Sequence, residues 1–570
     1  MKRIILVIVF AIAVVVPFLA QTQKDSLATL IQKGNNKAAL ALIQGGGNVN
    51  ELQPDGTSPL IWAVSRGEGD LVQALIAKQA NVNAANEFGA MPLLEAVKLP
   101  DAKIVKMLLD AGAKPDSANL DGETALMLAI KNGDLASVEL LLSKGANVNN
   151  VEKFHNQTPL MYAAASDRNA AEVVKLLLAK GADVKPKALY TDWPSQVTSE
   201  PRTQYRSTGG LNALMYAARG GCYFCAEQLI AAGADVNLPT LEAVTPLMIA
   251  LDNSHNDIAK LFLDKGANPH VWDWWGRTAI YIAVDRKPAP AAAGGRAAGP
   301  APLGGGRGGA GGGPGRGTGA AAPTGAPTRS GPAVSNLEMI NILLNAGVDP
   351  NHEMNFHRPN APGRGRFGDN QLSTGTTALF RAVQLNDMES VQALLAKGAS
   401  PNINSMGYSA WLLAAGAGPN GRNGNSGGTA NMALIELLMQ HNADVNAKVT
   451  GTRTYSFDVS YDRANAGTNS REGTSALHAA AQAGNVSLVK YLLDHGANPN
   501  VLDVDGKKPI DVVGVQRAAG GPGGAPAAAA PAQAKGKGGP GGAPGGNRGG
   551  ANTAAVAEIR SLLESAAAKN

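Results

Sequence analysis

The sequence predicts an all-α solenoid built from stacked two-helix units. The first observation is a fixed period, because Ser58, Met91 and Thr124 stand 33 residues apart, and this spacing is typical of stacked helical repeats. The second is a recurring phrase in which a short apolar helix is followed by a second apolar helix. The third is the exit from the second helix, which in most copies reads Gly-Ala followed by an Asn-rich turn.

The second helix of each unit has one apolar face. Val138, Leu141 and Leu142 lie at helical spacing and leave the charged residues on the opposite side. One such unit buries too little apolar surface to be stable alone, so we expect neighbouring units to share their stability. A left-handed helix C-cap is predicted at the glycine that follows each of these runs: Gly145, Gly181, Gly233, Gly266, Gly398 and Gly496.

The first helix of each unit opens with a recognisable motif. Thr158-Pro-Leu-Met-Tyr-Ala and Thr245-Pro-Leu-Met-Ile-Ala resemble the ankyrin-repeat opening Thr-Pro-Leu-His-x-Ala. Together with a degenerate unit near Lys24, the openers give about twelve units: Ser58, Met91, Thr124, Thr158, Asn212, Thr245, Thr278, Thr377, Ser409, Ser475 and Lys508. The resemblance implies β-turn fingers between two-helix units and a protein-binding role, but no shared chemistry.

The composition supports this organisation. Hydrophobic residues make up 44% of the chain but aromatic residues only 5%, which favours Ala/Leu-rich helix pairs over an enzyme core. Two long segments of Gly, Ala and Pro are predicted to be disordered, because they lack large apolar side chains. The predicted order is a signal peptide (1–20), repeats (24–287), a disordered insert (288–335), repeats (336–515), a disordered insert (516–552) and a C-terminal capping helix (553–570).

The N-terminal segment is typical of an export signal. Lys2 and Arg3 precede an apolar run from Ile4 to Val16, and Ala20 is a plausible cleavage point. We therefore expect a periplasmic or secreted protein. Because Phe18 stands where a small residue is preferred, attachment to the membrane through an uncleaved segment remains an alternative.

The net charge of +5 does not indicate a nucleic-acid partner. Ten basic residues lie in the signal segment and the two long Gly-rich inserts, so the rest of the chain has a net charge of about −5. The Gly-Arg segments also lack aromatic residues on which bases could stack. We read them as flexible linkers and expect no nucleic acid as a partner.

The inserts divide into two groups by their position in the unit. The Gly-rich inserts 288–335, 416–429 and 516–552 fall between the two helices of a unit, whereas 186–207, 352–373 and 449–471 fall where the fingers project. Exposed aromatics on loops are binding candidates, and here these are Tyr190, Trp193, Tyr455, Phe457 and Tyr461. Alternation from Tyr455 to Tyr461 predicts a β-hairpin. The alternative is that these loops fold back and cap neighbouring turns.

The regular fingers supply further candidates. The two residues before the turn glycine are expected to point outward, and they include Glu87 and Phe88, Leu120 and Asp121, Trp274 and Trp275, and Ser405 and Met406. The pair Trp274 and Trp275 is the strongest candidate for a partner-binding anchor, because paired indoles are costly to expose. Packing of one ring on the next turn is the alternative.

Cys222 and Cys225 are the only two cysteines. A thioredoxin-type pair would need a preceding strand, and haem attachment would need histidine where Ala226 stands. A zinc site would need two further ligands. An oxidising compartment favours a local disulfide, with buried reduced thiols as the alternative.

Catalytic motifs such as a GxSxG elbow, HExxH or a phosphate-binding loop are not found, so we expect neither an enzyme nor a cofactor or metal. His478 stands at the histidine position of the opener and is predicted to be structural.

The sequence thus predicts an exported scaffold that binds a protein or peptide through its turn edge and concave face. One rival is a hydrolase built around His352, His357 and Asp369, and the other is a structural or adhesive surface protein.

Overall fold

The computed structural model describes most of the repeats and few of the residues in the inserts. The described residues are 25–99, 101–189, 191–192, 207–273, 276–286, 330–354, 375–405, 407–418, 431–450, 472–515 and 553–569. They form two compact units, of which the first comprises Met1–Asn169 and Ala179–Ala182 and the second comprises Ala170–Leu178 and Asp183–Asn570.

Within the described residues the chain is mostly helical, as predicted. The first nine helices are α1 Leu27–Gln32, α2 Asn36–Gln44, α3 Pro59–Ser65, α4 Gly69–Ala77, α5 Pro92–Ala96, α6 Ala102–Asp110, α7 Ala125–Asn132, α8 Leu135–Ser143 and α9 Pro159–Ala165. The following elements are α10 Ala170–Ala179, β1 Thr191–Asp192, β2 Ser207–Thr208, α11 Ala213–Gly220, α12 Tyr223–Ala231, α13 Pro246–Asp252, α14 Asn256–Asp264, α15 Ala279–Asp285, α16 Asn336–Asn345, α17 Ala378–Gln384, α18 Met388–Ala396, β3 Asn404–Ser405, β4 Tyr408–Ser409, α19 Ala410–Ala414, α20 Met432–Gln440, α21 Ala476–Ala483, α22 Val486–Asp494, the 3₁₀ helix Pro509–Val512 and α23 Thr553–Ala567.

The first helix of most pairs begins at a polar cap. The hydroxyls of Ser58 and Thr124 accept the backbone N–H three residues later, which satisfies one of the amides that a helix start leaves unpaired. Met91 occupies this position in the third pair and makes no such bond, and α5 is only five residues long.

The second helices end as the glycine pattern predicts. The six glycines named above have φ between 83° and 92°, the left-handed region that glycine enters at little cost. At Gly112 the following residue, Ala113, donates its N–H to the carbonyl of Leu108 at 2.9 Å, as in a Schellman cap. Gln79 and Asn442 occupy the same position with φ of 64° and 62°.

A column of buried side chains runs through the second helices. In ten of the second helices the residue four positions before the left-handed cap is fully buried, and these residues are Leu75, Leu108, Leu141, Leu177, Leu229, Phe262, Leu343, Leu394, Leu438 and Leu492. Within each compact unit most first helices pack on their own second helix and on the next first helix, as α3 packs on α4 and α5. Full burial of one such side chain contributes about 1.5–3 kcal/mol, so each unit is stabilised by its neighbours.

An asparagine ladder joins successive units just beyond the helix caps. We use this name for a set of asparagines whose side-chain amides each reach the exit turn of the next unit: Asn50, Asn83, Asn149, Asn237, Asn351, Asn402 and Asn446. Asn83 shows the full pattern, since its Nδ2 donates to the Gly112 carbonyl at 3.1 Å and its Oδ1 accepts the Lys114 N–H at 2.9 Å. The ladder therefore fixes the register between neighbouring units.

The ladder also explains how the stack accommodates inserts. Asn83 reaches a partner 29 residues away, whereas Asn351 and Asn446 make the same bond across 47 and 50 residues. The additional residues lie between the two bonded positions in the sequence. At two inserts the finger base is kept, because the bridges Lys187–Asn212 and Lys448–Ser475 close it just as Ala118–Thr124 does in a short finger.

The last unit departs from the prediction. Its first helix, after the opener Lys508, is a short 3₁₀ helix rather than an α-helix. Lysine has no side-chain oxygen with which to cap a helix start, and Gly514, with φ of 78°, ends the segment at once. Helix α23 packs on this segment and on α22, and it buries only Ile559 and Leu563 among its described side chains.

We predict that Asn83→Ala lowers the free energy of unfolding by about 1–2 kcal/mol, because two hydrogen bonds between units are lost. The measurement is the urea midpoint followed by circular dichroism. Gln73→Ala, at an exposed site on α4, is the matched control and is expected to change the midpoint little. Equal midpoints for the two variants would contradict a stabilising role for the ladder.

Candidate partner-binding surface

The fingers are the turns that connect each second helix to the next first helix. In the first compact unit four of them are fully described, and they comprise residues 51–57, 86–90, 119–123 and 151–157. We call these four segments together the finger row.

Each finger is held in one conformation by a polar side chain at its base. Asn86 Oδ1 accepts the N–H groups of Phe88 and Ala90 at 3.1 and 2.8 Å. In the fourth finger the buried carboxylate of Glu152 accepts the N–H groups of Phe154 and His155, each at 2.7 Å. The finger tips are therefore fixed before any partner arrives.

Adjacent fingers are also hydrogen-bonded to each other. The Glu87 N–H donates to the Asp55 carbonyl at 3.0 Å, and the Lys153 N–H donates to the Asp121 carbonyl at 2.9 Å. Between these two pairs, a Cβ atom added to Gly89 would lie 2.8 Å from Cγ of Leu120, so the second and third fingers are in close contact as well. The four fingers thus form one connected row.

Every finger in this row exposes a large apolar side chain. The exposed fractions are 57% for Leu52, 72% for Phe88, 64% for Leu120 and 63% for Phe154. Single exposed apolar residues are ordinary on protein surfaces, but a repeated series on neighbouring turns is typical of an interaction site.

The finger row is acidic as well as apolar. Its four segments contain one lysine and six carboxylates, namely Glu51, Asp55, Glu87, Asp121, Glu123 and Glu152. The lysine is Lys153, whose ammonium donates to the Leu120 carbonyl at 3.1 Å. Glu51, Glu87 and Asp121 are exposed, whereas Glu152 is buried and Glu123 pairs with Lys131 at 3.3 Å. The row therefore carries exposed negative charge beside its apolar side chains.

Local hydrogen bonds keep two of these carboxylates ionised. The backbone N–H and the hydroxyl of Thr57 both donate to Asp55 and lower its pKa below the usual value. Burial alone would raise the pKa of Glu123, but hydrogen bonds from Tyr162 and Asn119 outweigh burial and lower it. The negative charge of the row therefore persists at neutral pH.

Exposed apolar residues also lie on fingers of the second compact unit. Leu241 is 73% exposed, Trp272 52% and Val504 51%. The ring of Trp272 packs against the ring of His352, with the centroids 5.2 Å apart. The indole is thus supported from one side and still presents half of its surface.

A buried charge cluster underlies the finger of Trp274 and Trp275. Arg277 donates from Nε to Asp273 at 2.7 Å and from Nη1 to Asp252, at the end of α13, at 3.0 Å. Arg286 donates to the same Asp252 oxygen. Burial opposes the charge of the guanidinium, but these two carboxylates raise the pKa of Arg277 above its usual value. The base of this finger is therefore firmly anchored.

The described residues include only some of the predicted binding side chains. Glu87 and Phe88 are exposed at the second finger. Ser405 was expected to point outward, but this prediction is wrong, because Ser405 belongs to β3, is buried and shares a hydrogen bond with Thr376. The remaining candidates lie outside the residues whose side chains are described: Tyr190, Trp193, Trp274, Trp275, Met406, Tyr455, Phe457 and Tyr461.

The other predicted chemistry is located as follows. Cys222 and Cys225 are joined by a disulfide at the start of α12, and both are buried. Of the rival hydrolytic group, only His352 lies within the described residues. That part of the chain contains no cluster of three or more His, Cys, Asp or Glu that could hold a metal ion. It also has no helix that is both long and apolar enough to cross a bilayer.

Comparison with known families agrees with the geometry. A model of ankyrin repeats in three copies matches residues 27–119, 93–188 and 214–291, and a single ankyrin-repeat model matches 374–405 and 472–504. These matches cover slightly more than half of the chain. The chain belongs to the ankyrin-repeat family. Ankyrin repeats indicate a scaffold for protein–protein interaction.

Two individual proteins illustrate the relationship. The ankyrin repeat and KH domain-containing protein mask-1 of Caenorhabditis elegans is 33% identical over 123 residues, which are 21% of this chain and only 4% of that protein. The crystal structure of the human ASB11 ankyrin repeat domain is 25% identical, covering 43% of this chain and 98% of that domain, with a TM-score of 0.34.

Several exposed finger residues were missed by the sequence analysis, which looked only before turn glycines. In an ankyrin finger the left-handed turn position need not be glycine. Asn156 occupies this position with φ of 52°, two residues after Phe154. Ala243 occupies it with φ of 59°, two residues after Leu241. A search for large apolar residues between the exit asparagine and the next opener would have found both.

His478 has the structural role predicted for it. Its Nδ1 accepts the Ser475 N–H at 3.2 Å, and its Nε2 lies 3.0 Å from the Lys507 carbonyl. A neutral ring with the proton on Nε2 satisfies both contacts. Burial disfavours the charged form and lowers the pKa of His478 below its usual value near 6.5.

We predict that this histidine makes stability depend on pH. Because its pKa is lower in the folded state, its contribution is fully present above about pH 6.5 and is lost as the pH falls through the folded pKa. Urea midpoints measured between about pH 7.5 and pH 5 should therefore fall less for His478→Gln than for the native chain. The control is His270→Gln, at an exposed site on the finger before α15, measured under the same conditions. If the urea midpoint of His478→Gln fell with pH as steeply as that of the native chain, this account would be contradicted.

Proposed function

We propose that this protein is a non-catalytic ankyrin-repeat scaffold, exported to the cell envelope, that binds a protein partner through its fingers. The finger row carries this proposal. Four neighbouring turns, bonded internally and to each other, each expose a large apolar side chain. A fixed surface of this kind loses little conformational entropy when it binds.

Export is supported by two features that lie far apart in the sequence. The first is the N-terminal segment, with Lys2 and Arg3 before the apolar run Ile4–Val16. The second is the disulfide between Cys222 and Cys225, since disulfides persist mainly in oxidising compartments.

The second compact unit would extend the binding surface. We propose that Trp274 and Trp275 contact the partner, because the buried Arg277 cluster anchors the base of their finger and the next indole, Trp272, is half exposed. The aromatic residues of the finger inserts would add to the same surface, namely Tyr190, Trp193, Tyr455, Phe457 and Tyr461, together with Met406.

Replacing Phe88 and Leu120 together by alanine should weaken capture of the partner by about tenfold or more, because exposed apolar anchors dominate interface energetics. The measurement is a crosslinked pull-down from the cell envelope, quantified by mass spectrometry against the native chain. Stability should change little, because both side chains are largely exposed.

The control for this experiment is Phe224→Ala, which removes a partly exposed phenylalanine on α12, outside any finger. It should leave capture at the native level. A second variant, Trp274→Ala with Trp275→Ala, tests the second unit separately. Native capture by both finger variants would refute the fingers as the binding surface.

A thiol assay tests the compartment. Protein isolated from the envelope and unfolded in denaturant should react with a maleimide only after reduction, because Cys222 and Cys225 are the only cysteines. The same chain without residues 1–20, made in the cytoplasm, should react without reduction. Free thiols in the envelope fraction would contradict the proposal of an oxidised, exported protein.

A further inference from the structure

We propose that the C-terminal helix α23 is a displaceable cap, and that the surface beneath it is a docking site for an amphipathic helix. We call this surface the end face, and it is formed by α22 and residues 509–514, against which α23 lies. In the closed chain α23 occupies the end face, and in the open chain a partner helix with the same apolar spacing takes its place. The proposal concerns the end of the array, so it stands independently of the fingers.

Helix α23 takes the place of a second helix in the last unit. Second helices pack on one another along the array, as α4 packs on α6 and α6 packs on α8. In the same way α23 packs on α22 and on the 3₁₀ segment Pro509–Val512. A Cβ atom added to Gly514 would lie 3.4 Å from Cγ2 of Val556. The end face is therefore a surface that already accepts a helix.

The sequence of α23 defines what the end face accepts. Val556, Ile559 and Leu563 stand at positions i, i+3 and i+7, which lie on one face of a helix. The exposed fractions of Ile559 and Leu563 are 0% and 1%, and Val556 is half-buried. Exposed polar side chains occupy other positions of the helix: Glu558, Arg560, Ser561 and Glu564. The feature that the end face recognises is thus an apolar stripe on a short helix.

Within the described residues, the asparagine ladder ends before the cap. Asn446 makes the ladder bonds of the preceding junction, to the carbonyl of Gly496 and from the N–H of Asn498. Asn500 stands at the equivalent position one unit later, but its Oδ1 accepts a hydrogen bond from Nζ of Lys508 at 3.0 Å. In this part of the chain, the contact between α23 and the end face therefore lacks the bond that fixes register between earlier units.

The cap also makes a smaller contact than the helices within the array. Its 15 residues bury two side chains, whereas the 9 residues of α8 bury four. In the sequence, residues 516–552 separate α23 from the last unit's first segment, whereas Gly133 and Asp134 alone connect α7 to α8. Because repeats contact only their neighbours, a helix at the end of an array can separate without disturbing the others. Opening of the cap therefore exposes the end face and leaves the rest of the array folded.

A peptide added in trans tests the proposal on the full-length protein. The probe is a fluorescently labelled peptide of residues 553–567, and its binding is followed by anisotropy. In the variant Ile559→Asn with Leu563→Asn, the chain's own α23 loses its buried apolar side chains and no longer competes. A segment of the same chain competes at an effective concentration of up to about 1 mM. The dissociation constant of the peptide should therefore be at least about tenfold lower for the variant than for the native chain.

The matched control is Arg560→Asn with Glu564→Asn, which places the same side chain at two exposed positions of α23 and leaves the net charge unchanged. This control should bind the peptide as weakly as the native chain does. A peptide that itself carries Ile559→Asn and Leu563→Asn should bind none of the three proteins. Equal affinity of the native chain and the Ile559→Asn, Leu563→Asn variant for the native peptide would overturn the proposal, and so would a failure of that variant to bind it.

Hydrogen exchange of the native protein tests the cap without any substitution. If α23 opens by itself, its central backbone amides should exchange at least about tenfold faster than those of α22. If the amides of the two helices exchange together, they open as one unit and the proposal is wrong. The same conclusion would follow if the Ile559→Asn, Leu563→Asn variant lost more helical circular dichroism than α23 alone contributes, because the cap would then belong to the cooperative core.

Discussion

The asparagine ladder is the constraint on which the repeat architecture depends. Burial of leucines between helices is strong but indifferent to small shifts, because apolar contacts have no direction. The hydrogen bonds of Asn83 are directional. Its Nδ2 donates to the Gly112 carbonyl and its Oδ1 accepts the Lys114 N–H, both across the boundary between units. The same bond recurs in both compact units, as at Asn237. Apolar burial thus supplies most of the stability, and the ladder sets the register in which neighbouring units meet.

Because register and core are fixed in this way, the fingers are free to vary. The ladder bond of Asn446 is kept across 50 residues, so an insert at the finger position leaves the helices in place. The bridge between Lys448 and Ser475 closes the base of that insert. Inserts also occur between the two helices of a unit, as between α15 and α16, but at the finger position the physical requirement is only that the finger base be satisfied. Asn86, Glu152 and Asp273 all meet this requirement with different side chains.

The sequence predicted the helices well because their determinants are local. Period, apolar spacing, cap residues and left-handed glycines all act within a few positions, and the structure follows them down to the short, uncapped helix after Met91. Finger surfaces were predicted less well, because exposure is decided by the neighbouring unit. Ser405 stands two residues before a turn glycine, as Glu87 does, yet it is buried and shares a hydrogen bond with Thr376 of the preceding finger. Phe154 was missed because Asn156 rather than glycine makes its turn.

The apolar tips and the acidic residues of the finger row are best explained together. Four exposed leucine and phenylalanine side chains on a rigid surface would favour self-association if they stood alone. Like charges around them oppose this, since two copies of the same acidic row repel each other when they approach face to face. We therefore expect the exposed carboxylates of Glu87 and Asp121 to oppose self-association through the apolar side chains beside them.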